Sequence, residues 1–228
     1  MALTATVTGP HGLLLDLDGV VVLEARAPGG EQEILRLHPD LAGRLSALDL
    51  PVIVLTHRSR AEARVILEAA GLPMASLHRL VAAEDLCLEA LRRLRIRALL
   101  RGGLRKSFAL SLVERRDGFA PADLAVIDDK PANLDDLRRH GVGLALLAPA
   151  QPRAAAAAVI GFDFAEAACV IARWIAGARP DVAVRLTPRT VRLAAWQRTG
   201  LSTASSGRHW FNTVRALGAS ARTLAGAK

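Results

Sequence analysis

The sequence predicts a three-layer α/β fold, a parallel sheet covered by helices on both faces, with a short flap and a basic C-terminal extension. Three observations lead there. Short apolar runs, among them LLL at 13–15, VIVL at 52–55 and LAVI at 124–127, are each closed by Asp or Thr, as strands buried on both faces are. Amphipathic stretches of helical period separate these runs, the alternation that a parallel sheet requires. The charge is also uneven. Of 30 basic residues, seven Arg and one Lys fall in 182–228, a stretch without Asp or Glu, so residues 1–181 balance at 22 basic and 22 acidic. A neutral domain over 1–180 and a basic extension over 181–228 follow.

With half of its 228 residues apolar, the chain can bury one sizeable core. Cys87 and Cys169 both lie in apolar helical stretches and read as small core residues of a reduced, cytoplasmic protein. The N-terminus lacks the basic-then-apolar pattern of a secretion signal, and no apolar run is long enough for a membrane span.

The first strand lies in the stretch Gly12–Val22, where three leucines run into Asp16 and Asp18 at its end. Val20–Leu23 and Gln32–Leu37, around Pro28-Gly29-Gly30, predict a hairpin flap beside these carboxylates. Pro39 and Asp40 open a helix to about Leu48. Pro51–Thr56 is the second buried strand. Ser59 and Glu62 form a capping-box pattern that opens a helix ending near Gly71. A weak strand at Leu77–Val81 precedes a helix over Ala82–Leu94, whose Arg-rich end suits the macrodipole. Further on come a helix over Lys106–Arg115, a strand over Asp123–Ile127, a helix over Leu134–His140 and a strand over Val142–Leu147. Ala154–Ala158 reads as helical, and Phe164–Ala176 as an amphipathic helix with Trp174 on its apolar side. Thr187-Pro188 could start a short helix containing Trp196. Ser202–Gly207 reads as a link to a helix on which Arg208, Arg215 and Arg222 share one face.

Four constellations carry chemistry. Asp16 and Asp18 end a buried strand with both side chains on one side, a pair whose repulsion calls for a proton or a cation; an EF-hand loop is excluded, because the later acidic positions are missing. Thr56 offers a strand-end hydroxyl and the following His57 its amide to a phosphate oxygen, or simply starts a turn. Lys106 could balance a bound phosphate and a carboxylate, or lie in solvent with Arg101 and Arg105. Asp128 and Asp129 end another strand, with Asn133 four residues after Asp129, a set of hard oxygens suited to Mg²⁺ or a cap of the Leu134 helix. Asp135 and Asp136 read as a solvated helical turn.

In order, spacing and strand-end placement these stretches resemble the haloacid dehalogenase (HAD) superfamily of phosphohydrolases, over about residues 11–147 and on to the helix ending at Ala176. The resemblance implies a Rossmann-like fold and a Mg²⁺-dependent phosphomonoesterase. Asp16 would be the nucleophile and Asp18 the general acid and base. Thr56, His57 and Lys106 would hold the phosphoryl group. Asp16, the Asp18 carbonyl and Asp129 would bind Mg²⁺, supported by Asp128 and Asn133. The intervals from Gly19 to Pro51 and from Thr56 to Lys106 leave no room for a large cap, so a capless member is expected. Such a member acts on large substrates or uses neighbours in a homo-oligomer as lids. An Asp at the second position disfavours the dehalogenase branch.

The basic extension admits three readings: a solvated tail, a lid or subunit contact through Trp196, Trp210 and Phe211, or a surface for nucleic acid or an anionic membrane. With them stand two alternatives to a plain phosphatase: a non-catalytic regulator that binds a phosphorylated partner or nucleic acid, and a nucleic-acid end phosphatase.

Overall fold

The structure is a computed structural model that describes residues 11–26, 32–38, 40–93, 99, 103–149, 158–192 and 198–199. The flap tip at 28–30, Pro39, most of the alanine tract, Trp196, the 202–207 link and the Arg208/Arg215/Arg222 stripe lie outside these residues.

Six parallel strands form the central sheet, in the order β5-β4-β1-β6-β7-β9. They are β1 (Gly12–Leu15), β4 (Val52–Leu55), β5 (Arg79–Val81), β6 (Leu124–Asp128), β7 (Leu144–Leu147) and β9 (Val184–Arg185). Because side chains alternate along a strand, the sheet divides the interior in two. Leu13, Leu15, Val52, Val54, Ala125 and Ile127 face one core, closed by helices α1 (Leu41–Ser46), α2 (Arg60–Ala69) and α6 (Phe164–Ile175). Leu14, Ile53, Leu55, Val126 and Ala145 face the other, closed by α3 (Ala83–Arg92), α4 (Leu110–Asp117) and α5 (Pro131–Arg139). The three-layer architecture is therefore the expected one.

Local signals explain several boundaries. The Ser59 hydroxyl accepts from the Glu62 amide while the Glu62 carboxylate accepts from the Ser59 amide, a complete capping box. Trp174 packs wholly inside on α6, with the Arg179 guanidinium 5.9 Å from its ring centre. The flap is an antiparallel hairpin of β2 (Val22–Arg26) and β3 (Gln32–Arg36), anchored by Val20, Val21, Val22 and Ile34 in the first core. Between β1 and α1 this hairpin is the inserted structure.

Some expectations are corrected. The helix expected at Leu134 starts at Pro131, whose fixed φ and missing N–H suit a first helical position, so Asn133 lies inside the first turn rather than capping it. Lys106–Ala109 is a 3₁₀ turn and α4 proper begins at Leu110. Cys87 is buried, but Cys169 is exposed on α6. Where a helix was expected after Thr187, β10 (Pro188–Arg192) pairs antiparallel with β8 (Ala158–Phe162). Alternating Thr190 and Val191 suit an extended chain, and Pro188 is tolerated at a strand's first residue. Val184–Arg185 pairs with β7 and Pro188–Arg192 with β8. Farther on, β11 (Arg198–Thr199) pairs with β3 of the flap.

Candidate active site

The site forms at the carboxyl edge of the central sheet, where β1, β4 and β6 end side by side. Leu15 is level with both Val54 and Ile127, so the next residue of β1, Asp16, comes level with Asp128 and one residue short of Thr56. The Asp16 amide donates to the Ile127 carbonyl at 3.0 Å and the Thr56 amide to the Val81 carbonyl at 3.0 Å, so the strand ends are tied to their neighbours.

Lys106 is the centre of the cluster. Its Nζ lies 2.6 Å from Asp16 Oδ1 and 2.6 Å from Asp128 Oδ2, and all three side chains are buried. The sequence left this lysine between site and solvent; the structure puts it inside. Asp136, expected to be solvated, helps to place it: its carboxylate accepts from the Ser107 amide at 3.2 Å and ties the Lys106 turn to α5.

Asp128 has both oxygens engaged. Oδ1 accepts from the Lys130 amide at 2.8 Å and from Asn133 Nδ2 at 3.1 Å, while Oδ2 takes Lys106 and Asn133 Nδ2 at 3.0 Å. Asp129 differs, because its buried Oδ1 has no hydrogen-bond partner. Asp16, Asp128 and Asp129 bring one carboxylate oxygen each within 4.8 Å of one another. Three hard oxygen donors with one orphaned buried oxygen among them fit Mg²⁺. Gly19 makes the approach possible. Its φ is +80°, and a Cβ built there would collide with the Asp129 carboxylate.

Burial is the largest influence on Asp16 and pushes its carboxyl up to about 7; Lys106 opposes the shift and Asp128 adds to it. Asp129 is raised for the same first reason. Burial works against the Lys106 charge, but Asp16 and Asp128 hold the ammonium above its ordinary range. Burial, followed by Lys106 and Lys130, lowers His57 to about 4, so its ring is neutral near pH 7, with a buried Nε2 that has no partner.

Thr56 is fully buried, and its Oγ accepts from the Arg58 amide at 3.1 Å, which leaves the hydroxyl hydrogen to donate outward. Asp18 does not join the carboxylate cluster. The Arg58 guanidinium holds it, with Nε 2.9 Å from each carboxylate oxygen and Nη2 2.6 Å from Oδ1. Sequence reasoning missed Arg58. The signal was present: Arg58 follows Thr56 by two, as Asp18 follows Asp16, on adjacent strand ends.

No protein-family model matches the chain, and no curated protein does. Among solved structures, the chain is similar to the N-terminal, phosphatase-domain-containing part of a Bacteroides fragilis protein complexed with Mg. Identity is 15%, over 57% of this chain and 34% of that one, with a TM-score of 0.42. It is also similar to a Streptomyces avermitilis chain assigned to the HAD hydrolases, at 15% identity over 62% and 73% with a TM-score of 0.41. A third is the Moraxella catarrhalis 3-deoxy-D-manno-octulosonate 8-phosphate phosphatase in complex with magnesium, phosphate and its sugar. Identity is 17% over 61% and 69%, with a TM-score of 0.37. The matched part spans about a third of the Bacteroides chain. The chain is thus similar, at low identity, to structures described as phosphatases and HAD hydrolases.

Proposed function

We propose that the protein is a Mg²⁺-dependent phosphomonoesterase that works through an aspartyl-phosphate on Asp16. The observation that carries this reading is the buried Asp16–Lys106–Asp128 arrangement, beside an Asp129 oxygen that no protein group satisfies. Buried charges are costly unless they are paired or used, and an orphaned carboxylate oxygen beside two others is what a cation site requires.

Asp16 and Asp129 would hold the ion, with the Asp18 carbonyl that the family resemblance adds; Asp128, committed to Lys106 and Asn133, would support them. When bound, Mg²⁺ offsets charge on the phosphoryl group and favours the ionised form of Asp16. The chain's own groups perform the rest. Lys106 and the Leu17 amide occupy Asp16 Oδ1, the latter at 2.7 Å, so Oδ2 is presented to phosphorus. Its attack forms the Oδ2–P bond as the ester P–O bond breaks, and the leaving oxygen takes a proton from Asp18. Asp18 then removes a proton from water, which attacks phosphorus, releases inorganic phosphate and restores Asp16. Thr56 and the His57 amide donate to phosphoryl oxygens, and Lys106 offsets their charge.

Pairing of Arg198–Thr199 with β3 favours the lid reading of the extension over the other two. Our reading is a capless phosphatase, and two free cysteines suit the cytoplasm; nucleic-acid binding and a homo-oligomer have no comparable observation among the described residues.

The test is hydrolysis of p-nitrophenyl phosphate with and without Mg²⁺. Turnover that requires Mg²⁺ and drops by roughly a thousandfold or more in Asp16→Asn is expected. Turnover that survives Asp16→Asn would refute the nucleophile.

A further inference from the structure

Among the described residues, Arg58 is a cation whose fork grips a residue of the proposed reaction at a partly exposed position. Lys106 is sealed in, and Arg60 is committed to Asp85 and, through its amide, to Glu84. The Arg58 side chain is 15% exposed and the Asp18 side chain 33%, so their pair sits at the mouth rather than the floor of the site. Its position follows from two constraints. The Arg58 amide is fixed by Thr56 Oγ, and the next residue, Ser59, is locked as the cap of α2. The side chain is thereby aimed across the strand ends at Asp18.

The guanidinium reaches both oxygens of Asp18. To serve a leaving oxygen, Asp18 must turn at least one of them toward it. Both are engaged by the guanidinium while the fork stays closed. Opening it costs a charge-assisted bidentate contact, and a neutral leaving group offers Arg58 nothing in exchange. A carboxylate or a second phosphate next to the ester oxygen does, because the planar fork that matches a carboxylate also matches a phosphate.

On the phosphatase reading above, we propose that Arg58 is a specificity-determining residue: it clamps Asp18 until the substrate's own second anionic group draws it away. The substrate class is then phosphate monoesters that carry another negative charge close to the ester oxygen. Selection works through both halves of the exchange, attraction of Arg58 by the right substrate and a closed Asp18 against the wrong one.

The experiment compares carboxymethyl phosphate with ethyl phosphate, which differ at one carbon by a carboxylate. In the wild type, kcat/KM for the carboxylate-bearing ester should exceed that for ethyl phosphate by roughly tenfold to a hundredfold, the worth of a hydrogen-bonded charge pair. Arg58→Gln should bring the ratio to within about threefold of unity. If the Gln variant does not fold, Arg58→Lys, which keeps the charge and loses the fork, should still cut the preference by about threefold or more. A wild-type ratio near one, or a preference undiminished in the variant, overturns the proposal. Calorimetric binding of the two esters to Asp16→Asn separates this inference from the reading it rests on. Tighter binding of carboxymethyl phosphate that depends on Arg58 would uphold the residue's role even if the wild type turned over no ester. Equal binding would overturn it even if the wild type were an active phosphatase.

Discussion

Lys106 Nζ meets Asp16 Oδ1 at 2.6 Å in a space closed to solvent. The contact joins the end of the first strand to a 3₁₀ turn 90 residues later in the sequence, so one ion pair fixes both the candidate nucleophile and the packing of the Lys106 turn. Removing the cation leaves Asp16 and Asp128 facing each other without a counter-charge. Lys106→Met should therefore destabilise the fold by about 3 kcal/mol or more near pH 8, read by urea unfolding, and should abolish phosphatase turnover. Unchanged stability would mean that the pair is not formed.

Gly19 should be intolerant of any side chain. Gly19→Ala must place a Cβ in the left-handed region and against the Asp129 carboxylate, so a loss of about 1–2 kcal/mol is expected from the backbone alone. Displacement of Asp129 adds a functional effect: Mg²⁺ affinity, read by calorimetric titration, should fall by about tenfold or more. An alanine variant with native Mg²⁺ affinity would place Asp129 outside the cation site.

His38 makes stability depend on pH. Burial, then Arg44 and Arg189, lower its pKa from 6.5 to about 4, and its ring stands edge-on to Phe162 at 4.4 Å. Above pH 6.5 the ring is neutral in folded and unfolded chains alike. As pH falls from 6.5 to about 4, the unfolded chain takes up a proton that the folded one excludes, so stability falls, by about 3 kcal/mol across the window. His38→Phe should flatten that part of the Tm-against-pH profile; an unaltered slope would assign the acid lability to other groups.

Ser59→Ala tests a purely local device. Losing the capping box should cost about 1 kcal/mol of stability by chemical denaturation. A cost near zero would mean that tertiary packing alone holds the start of α2.

The same local signals explain what the sequence could and could not reveal. Leu13–Leu15, Val52–Leu55 and Leu124–Ile127 are apolar on both faces and end in Asp or Thr, so the sheet's centre and its chemical edge were legible together. Asp16, Thr56, Asp128, Asp129 and Asn133 could be placed because each follows such a strand. Lys106 could not be told from a surface lysine, since its burial depends on Asp16 and Asp128 from distant strands and on Asp136 holding its turn. Arg58 was overlooked for a related reason: its partner lies 40 residues away. At the periphery, β8 abuts an alanine tract that mimics a helix, and β9 has only two residues, too few for any period to register. The pairing of β10 with β8 likewise left no local trace. Arg189 and Arg192 gave the segment the look of a solvated tail.

The central claim is that Asp16 is phosphorylated during turnover. The most direct measurement is acid quenching of the enzyme with p-nitrophenyl phosphate and Mg²⁺, followed by peptide mass spectrometry. p-Nitrophenolate leaves with little need of a proton, so Asp18→Asn should slow the water attack more than the first step and accumulate the intermediate. The phosphoryl group should appear on Asp16 in the wild type, in greater amount in Asp18→Asn and not at all in Asp16→Asn. Turnover with the label on another residue, or undiminished in Asp16→Asn, would contradict the account.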